Sequence, residues 1–492
     1  MATDYGRVNA PEFPGDADWL NTDRPLRLAD FAGKLLLLDF WTYCCINCMQ
    51  LLPTLRRLER EFPEELAVVG VHTPKFDQER ATENVRQAVM RYGIRHPVLN
   101  DASMETWRQY AVRAWPTLMF VDPVGRVVGK VEGELRYEQG GELVRKMLEI
   151  FRAEGTLRPG PQVYDLESPR SGVLRYPGKV LADPVGERLF IADSGHHRVL
   201  VTDTEGQIQT VIGSGDEGLS DGVPEGARFS NPQGMALLGE VLYIADTGNH
   251  AVRAVDLEMA FVDTVVGTGE RGVGRMDGGP GLTVPLRSPW DLVLVGRRLF
   301  IAMAGSHQLW MYDLESGLAT AVAGTGGEGI VDGLPEEALL AQPSGIAADE
   351  DGVLYFADSE TSAVRQADLI TAYQVSTLVG SGLFDFGDVD GAASSARMQH
   401  PLGIAFEGGF VYVADTYNNK IKRVGTETLA VATMAGTGEP GYADGAFAAA
   451  RFHEPGGLSI LGERLYVADT NNHAVRVLDA ANGTVSTLPV DF

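Results

Sequence analysis

The stretch Leu-Tyr-Ile-Ala-Asp-Thr-Gly-Asn-His-Ala-Val-Arg-Ala-Val at residues 242–255 decides most of the fold. Similar segments occur five more times, at 189–201, 299–312, 354–367, 411–424 and 465–478. Their equivalent residues follow one another at intervals of 53 to 57 positions: Asp193, Asp246, Met303, Asp358, Asp415 and Asp469. Each copy contains two short runs of β-branched or aromatic residues with turn formers between them, which is typical of paired strands. This near-constant period predicts a repeat architecture.

Two further strands flank each pair. A Pro-x-Gly turn opens the preceding one, as at Pro232, and a run such as 264–267 forms the following one. Four antiparallel strands in each of six repeats predict an all-β six-bladed propeller over residues 173–492. Gly/Asp-rich loops such as 436–445 separate the repeats, and we interpret them as structural turns. In four repeats the aspartate precedes a basic residue by seven positions, so we predict ion pairs across one hairpin, at Arg253, Arg365, Lys422 and Arg476.

The N-terminal part has a different pattern. The apolar runs at 35–41 and 66–71 indicate buried strands, and the segment from about Cys45 to Glu61 indicates a helix. Alternating strands and helices predict an α/β domain over residues 1–155. The Pro/Gly-rich stretch at 156–172 predicts a linker.

Charge and composition limit the classes of partner that the protein is expected to bind. Of 492 residues, the first 160 hold 21 Lys and Arg against 23 Asp and Glu, whereas the remainder hold 20 against 44. Such acidity disfavours nucleic acid and anionic membrane surfaces as broad partners. The sequence contains no apolar run near the ~20 residues that a membrane span requires. The first residues do not have the pattern of a secretory signal, so we expect a cytoplasmic protein.

All three cysteines fall in Asp39-Phe-Trp-Thr-Tyr-Cys-Cys-Ile-Asn-Cys48. A Cys-x-x-Cys between a strand and a helix predicts a redox site. The sulfur of Cys45 would lie at the helix N-terminus, where unpaired N–H groups stabilise a thiolate, and Cys48 would lie one turn further along. We therefore predict that Cys45 attacks disulfides and that Cys48 resolves the mixed disulfide. Asp39 is a candidate residue of this redox site, because burying a carboxylate within an apolar strand is costly unless it has a function or a partner.

These motifs resemble known families. Phe40, Trp41, Cys45 and Cys48 match a pattern found in thioredoxin-like reductases, and the repeats resemble NHL repeats. Together, with the run Cys44-Cys45-Ile-Asn-Cys48, they resemble NHL-repeat proteins with an N-terminal thioredoxin-like domain. The resemblance implies that Asp39 assists proton transfer at the second cysteine and that Pro116, after Trp115, is a cis-proline that docks substrate backbone. It also implies a proline within the helix, at Pro53.

Other interpretations of the cysteines remain open. Cys44 stands where the reductases usually carry Trp, and it either packs as a small apolar residue or joins the redox chemistry. Cys44 and Cys48 with His72 or His96 would suit Cu(I), and Thr42 with Cys45 suggests a peroxidase. The cysteines would also suit a purely structural role.

The main prediction is a thiol–disulfide oxidoreductase that acts on protein partners. Cys45, Cys48, Asp39 and Pro116 would form its site, with Cys44, Trp41 and Trp115 as auxiliary residues. Neither a cofactor nor a metal is expected. The propeller would serve as a platform for protein interaction. The alternative is a scaffold protein whose thioredoxin-like domain is catalytically weak.

Overall fold

The computed structural model describes residues 8–168, 171–274 and 277–492. The chain divides into two compact units, Met1–Arg170 and Ser171–Phe492. Residues 169–170 of the predicted linker and residues 275–276 of the second Gly/Asp-rich loop lie outside the described residues. No helix within the described ranges is long and apolar enough to cross a membrane.

A mixed seven-stranded sheet forms the first unit, in the order β1-β7-β6-β3-β4-β5-β2. Its strands are β1 (Val8–Asn9), β2 (Asp18–Leu20), β3 (Leu35–Trp41), β4 (Leu66–His72), β5 (Val98–Asn100), β6 (Thr117–Val121) and β7 (Arg126–Glu132). Every residue of β3 is buried, as expected for a central apolar run. β3 pairs in parallel with β4 and antiparallel with β6. The residues that follow β3 therefore lie at the edge of the sheet where β4 ends and β6 begins.

Helices pack on this sheet. They are α1 (Ile46–Glu61), α2 (Thr82–Arg91), α3 (Glu105–Gln109) and α4 (Tyr137–Ala153). α1 contacts both α4 and β4, and it contains Pro53 as predicted. The alternating pattern thus predicted the α/β domain correctly, although the short elements β1, β2, β5 and α3 were not predicted. Their patterns span too few residues to show a period.

Part of the predicted linker lies against the first unit. The amide of Arg158 donates to the carbonyl of Gly33 at 2.7 Å, and the side chain of Gln162 donates to the carbonyl of Leu66 at 2.7 Å. The Nζ of Lys34 donates to the carbonyl of Gly160 at 2.7 Å. These bonds tie residues 158–162 to the N-terminal ends of β3 and β4.

The second unit is a propeller of six sheets. Blade one comprises β8 (Val180–Asp183), β9 (Arg188–Asp193), β10 (Arg198–Asp203) and β11 (Ile208–Ile212). Blade two comprises β12 (Pro232–Leu238), β13 (Val241–Asp246), β14 (Ala251–Asp256) and β15 (Phe261–Val266). Blade three comprises β16 (Gly278–Pro280), β17 (Pro289–Val295), β18 (Arg298–Met303), β19 (Gln308–Asp313) and β20 (Leu318–Ala323). Blade four comprises β21 (Pro343–Ala348), β22 (Val353–Asp358), β23 (Ala363–Asp368) and β24 (Gln374–Val379). Blade five comprises β25 (Gly391–Ala392), β26 (Gly403–Glu407), β27 (Phe410–Asp415), β28 (Lys420–Gly425) and β29 (Ala430–Ala435). Blade six comprises β30 (Gly445–Ala446), β31 (Pro455–Leu461), β32 (Arg464–Asp469), β33 (Ala474–Asp479) and β34 (Thr484–Thr487). The predicted six-bladed propeller is therefore confirmed.

Hydrogen bonds between neighbouring blades close the ring. The hydroxyl of Thr470 in blade six donates to the carbonyl of Pro177 before blade one at 2.9 Å, and the amide of Tyr176 donates to Nδ1 of His473 at 3.0 Å. The same pair of bonds recurs between blades two and three, from Thr247 to Pro289 and from Ser288 to His250. The first and last blades are therefore joined in the same way as sequential neighbours.

The Gly/Asp-rich loops strengthen the outer edges of the blades. β16, β25 and β30 arise from these loops and pair with the outermost strand of the following blade. In blade two, Asp221 of the preceding loop accepts hydrogen bonds from Arg253 at 2.7 Å and Thr264 at 2.9 Å. This arrangement agrees with the interpretation of the loops as structural turns.

The predicted ion pairs across the hairpins are confirmed in four blades. The nitrogen–oxygen distances are 3.0 Å for Arg253–Asp246, 2.8 Å for Arg365–Asp358, 3.2 Å for Lys422–Asp415 and 2.8 Å for Arg476–Asp469. All eight side chains have no exposed surface. In blade three Met303 and Trp310 take these positions and join an apolar core, so apolar packing replaces the ion pair there.

A buried ion pair lies at the centre of the propeller. The Nζ of Lys179, beside β8 of blade one, is 3.0 Å from the Asp291 carboxylate in blade three. It also donates to the carbonyls of Ser344 at 2.9 Å and Leu402 at 2.7 Å. One side chain from blade one therefore bonds to blades three, four and five, and protein atoms fill the axis at this level.

We expect Arg365→Met to destabilise the propeller by about 3–5 kcal/mol, because it leaves the fully buried Asp358 carboxylate without its cation. Unfolding in denaturant, monitored by a spectroscopic signal from the propeller, measures this loss of stability. The exposed Arg297, which is paired with Glu315, provides the control. Arg297→Met should change stability by less than about 0.5 kcal/mol, and equal effects of the two substitutions would contradict the prediction.

Candidate functional site

The three cysteines lie where β3 passes into α1. Cys45 is the N-cap residue of α1, with extended backbone angles of φ −81° and ψ 115°. Its carbonyl accepts hydrogen bonds from the amides of Cys48 and Met49, both at 3.1 Å. The Cys45 side chain therefore starts at the N-terminus of a 16-residue helix, at the positive end of the helix dipole.

Burial distinguishes the three thiols, none of which is in a disulfide. The exposed fraction is 7% for Cys45, 2% for Cys48 and 0% for Cys44. Burial raises the pKa of Cys48 well above its ordinary value, and a hydrogen bond with Cys45 and the nearby Cys45 and Asp39 charges add to the rise. Cys48 thus keeps its proton, and Cys45 is the sulfur that a substrate reaches most easily.

Asp39 lies beneath α1 and is 1% exposed. Burial raises its pKa to about 7, and the nearby His96 opposes part of that rise. Neither carboxylate oxygen has a hydrogen-bond partner among the described residues. A carboxyl group that titrates near neutrality beside a protonated thiol is suited to accept and return a proton.

The Trp115–Pro116 peptide bond is cis. Pro116 immediately precedes β6, and β6 pairs with β3 so that Thr117 lies opposite Phe40. Pro116 therefore adjoins the end of β3 that leads to the cysteines. The Trp115 ring lies 4.4 Å from the Trp107 ring, measured between centroids, and provides an aromatic surface beside the proline.

Aromatic rings support the loop between β3 and Cys45. Trp41 is 1% exposed and meets His72 edge to face, with ring centroids 5.1 Å apart. Tyr43 stacks on the other side of the loop against His72 at 5.4 Å. Trp41 is therefore part of the buried support of the site rather than a surface that a substrate could touch.

Glu79 is a residue of this site that the sequence interpretation missed. Although it has no exposed surface, its carboxylate accepts four hydrogen bonds. The donors are the hydroxyl of Thr42 at 2.7 Å and the amides of Cys44 at 3.0 Å, Lys75 at 2.7 Å and Phe76 at 2.9 Å. Burial raises the pKa of Glu79, whereas these donors oppose the rise. One carboxylate thus joins the cysteine loop to the loop after β4.

The geometry supports neither the peroxidase nor the metal-site interpretation. The Thr42 hydroxyl donates to Glu79, which differs from the role a peroxidase threonine would need beside Cys45. Within the described ranges, no three His, Cys, Asp or Glu side chains are grouped so that they could hold a metal ion. His72 and His96 therefore do not join Cys44 and Cys48 in such a group.

Comparison with known proteins places the chain in a family. Residues 33–127 match the thioredoxin-like family model, and residues 452–478 match the NHL repeat model. NHL repeat-containing protein 2 of Bos taurus is 42% identical over 98% of this chain and 71% of its own length. The chain belongs to the family of NHL-repeat proteins with an N-terminal thioredoxin-like domain.

Two other relatives extend the comparison. Protein SUPPRESSOR OF QUENCHING 1, chloroplastic, of Arabidopsis thaliana is 42% identical over 97% of this chain and 47% of its own length. Thiol-disulfide oxidoreductase ResA of Bacillus thuringiensis is 29% identical over 25% of this chain and 69% of its own length. The thioredoxin-like unit therefore occurs in this NHL-repeat family and also has relatives without the propeller.

The high pKa of Asp39 predicts how stability depends on pH. Because the folded protein holds this proton more tightly than the unfolded chain, stability falls as pH rises from about 4 to about 7, and the loss persists above pH 7. Asn cannot ionise, so we expect Asp39→Asn to stabilise the first unit at pH 8 by up to about 4 kcal/mol and to have little effect at pH 4. Denaturant unfolding at both pH values tests this. The exposed Asp16→Asn is the control, and a pH-independent effect of Asp39→Asn would contradict the prediction.

Removing the negative charge of Glu79 should loosen the cysteine loop. A glutamine provides only one accepting oxygen, so Glu79→Gln leaves donors of Thr42, Cys44, Lys75 or Phe76 unpaired, at about 1–3 kcal/mol for each buried group. We expect lower stability and faster alkylation of Cys44, measured by mass spectrometry. The exposed Glu83→Gln serves as control. Protection of Cys44 equal to that in the unaltered protein would show that Glu79 does not hold the loop.

Proposed function

We propose that this protein is a thiol–disulfide oxidoreductase that acts on protein partners through Cys45 and Cys48. The observation that carries the proposal is the arrangement of Cys45 at the N-cap of α1, with Cys48 one turn further and the high-pKa Asp39 below. The relationship of the thioredoxin-like unit to a protein named as a thiol-disulfide oxidoreductase supports it.

The chemistry follows from the unequal environments of the two thiols. The Cys45 thiolate attacks one sulfur of a substrate disulfide, forms a mixed disulfide and releases the other sulfur as a thiolate. Cys48 then gives its proton to the Asp39 carboxylate and attacks Cys45. This second step releases the substrate as a dithiol and leaves a Cys45–Cys48 disulfide. The reverse sequence would oxidise a substrate dithiol.

The remaining predicted residues would position the substrate and tune the site. Pro116 would present its backbone to an extended segment of the substrate, and Trp115 would contact apolar side chains beside it. Trp41 would support the cysteine loop from below. Cys44 would act through its backbone bond to Glu79 rather than as a second nucleophile, because its sulfur has no exposed surface.

The propeller would recruit or orient the partner. Residues 161–492 hold 20 basic against 44 acidic residues, so a partner with a positively charged surface would be attracted to it. We also propose that the protein works in the cytoplasm, where a reducing environment would keep the cysteines available as a dithiol. The alternative is a scaffold with a weakly active thioredoxin-like unit. The observation that favours this alternative is the low exposure of Cys45, at 7%, because a reactive thiol must be accessible to its substrate.

A trapping experiment tests this function. In Cys48→Ser the mixed disulfide on Cys45 cannot be resolved, so we expect a defined set of partners to remain attached when the protein is incubated with a cytosolic extract. Mass spectrometry identifies both the partners and the attachment site.

Two matched variants give the experiment its controls. Replacing Cys45 as well should abolish trapping, whereas Cys44→Ser in the Cys48→Ser background should retain it. An empty trap from folded, reduced Cys48→Ser protein would instead support the scaffold.

A further inference from the structure

Beside Asp39 lie buried polar side chains that have no role in the exchange steps above. Asp39 pairs across the parallel strands β3 and β4 with Gly70. Paired residues on neighbouring strands face the same side of a sheet at a spacing of about 4.8 Å. Gly70 has no side chain, so the space beside Asp39 on this face is open to groups from other elements.

His96 and Trp41 border that space. A Cβ atom on Gly70 would lie 3.5 Å from Nε2 of His96 and 3.0 Å from Nε1 of Trp41. These two nitrogens and both Asp39 oxygens are buried, and within the described part of the chain none of the four has a hydrogen-bond partner. Buried polar atoms of this kind are normally satisfied by one another or by a bridging water. Since no direct hydrogen bond joins the imidazole to Asp39 among the described residues, one bridging water molecule would connect them.

The other side of the imidazole faces a carboxylate near the surface. Nδ1 of His96 is 3.2 Å from Oε1 of Glu59, and the exposed fraction of the side chain is 3% for His96 and 25% for Glu59. Glu59 belongs to α1, eleven residues after Cys48 and therefore about three turns further along the helix. Asp39, His96 and Glu59 form a series that leads from the buried thiol to solvent.

The backbone around His96 is held in place. The Asn21 side chain donates to the carbonyls of Ile94 and His96, each at 2.9 Å. The amide of Gly70 donates to the carbonyl of Pro97 at 2.9 Å. The loop that carries His96 is therefore fixed to β4 on one side and to a buried amide on the other, which keeps the imidazole in register with Asp39.

We propose that His96 and Glu59 carry protons between the Asp39 carboxyl and solvent. The inference rests on the proposed function and names the route by which its proton leaves. After Asp39 has taken the proton of Cys48, Nε2 of His96 accepts it, Nδ1 releases its own proton to Glu59, and Glu59 passes that proton to water. The neutral imidazole returns when its tautomer resets. In the reverse reaction the same atoms bring a proton to Cys48. These proton transfers form and break no bond between sulfur atoms, so the electron balance of the thiol–disulfide exchange stays as described above.

The other titratable groups around this series are few and do not replace it. Cys48 and Cys45 face Asp39 from the start of α1, and His72 follows Gly70 on β4, where burial lowers its pKa to about 3 and keeps it neutral. Tyr164 lies near Glu59, and burial, followed by the Glu59 charge, raises its pKa, so it is neutral as well. His96 is thus the group of this series that lies between the two carboxylates.

A single-turnover reaction with dithiobis(nitrobenzoate) separates the two chemical steps. Attack by Cys45 releases the first coloured thiolate, and attack by Cys48 on the mixed disulfide releases the second. In His96→Gln and Glu59→Gln we expect an unchanged first phase and a second phase slowed about ten-fold or more, with an altered pH profile. Glu59→Gln is a partly exposed change that should not disturb folding. Glu64→Gln, an exposed acid just beyond the same helix, is the matched control and should leave both phases unchanged.

Two further readouts distinguish proton transfer from a structural effect. Added imidazole should restore the second phase in His96→Gly, which a merely packing role would not allow. Titration of Asp39 by carboxyl infrared absorption should show a higher pKa in His96→Gln, because His96 now lowers that pKa. Equal second phases in all variants, no rescue by imidazole, or an unshifted Asp39 titration would each overturn the proposal. A missing second phase in the unaltered protein would instead overturn the proposed function, and the Asp39 titration would still decide whether His96 is coupled to it.

Discussion

A charged side chain can be buried only where hydrogen bonds or an opposite charge replace the water that it loses, and this constraint organises both units of the protein. In the propeller, Arg365 is fully buried between Asp358 and Asp332, and a similar arrangement recurs in three other blades. On the axis, Lys179 is satisfied by Asp291 and two carbonyls. Beside the cysteines, Glu79 is satisfied by four donors from two loops. The buried charges thus determine which segments must stay together.

Asp39 departs from this pattern, and the departure is where the chemistry is proposed. Its carboxyl has no hydrogen bond within the described ranges, and burial holds its pKa near 7. A structural carboxylate such as Glu79 is surrounded by donors that oppose the rise of its pKa, whereas Asp39 faces a thiol, an imidazole and an indole. The cost of burying such a group falls on folding stability. The proposed benefit is a proton acceptor near neutral pH beside Cys48.

The two thiols also owe their difference to position rather than residue type. Cys45 and Cys48 are separated by less than one helical turn, yet one caps the helix and the other lies inside it. The positive end of the helix dipole acts on the first sulfur, whereas burial and the neighbouring Asp39 act on the second. Glu79 keeps the preceding loop in the conformation that places Cys45 at the cap. The proposed reactive arrangement therefore depends on contacts from three separate segments of the chain.

Local patterns in the sequence were sufficient for the propeller, the α/β domain, the position of Cys45 and Cys48 at the start of a helix, and the hairpin ion pairs. Each of these depends on residues that are near one another in the chain or that recur at a constant period, as Asp246 and Arg253 do. The resemblance also predicted that Pro53 lies within the helix and that a cis bond precedes Pro116, and both are confirmed, whereas the role of Asp39 stays a prediction. The contacts of Glu79 with Cys44, of His96 with Glu59 and of Lys179 with Asp291 span 35, 37 and 112 residues, and no local pattern indicates them. Only the packing of β4, α1 and the blades brings these groups together, because the free energy of burying a charge depends on partners that the folded chain alone provides.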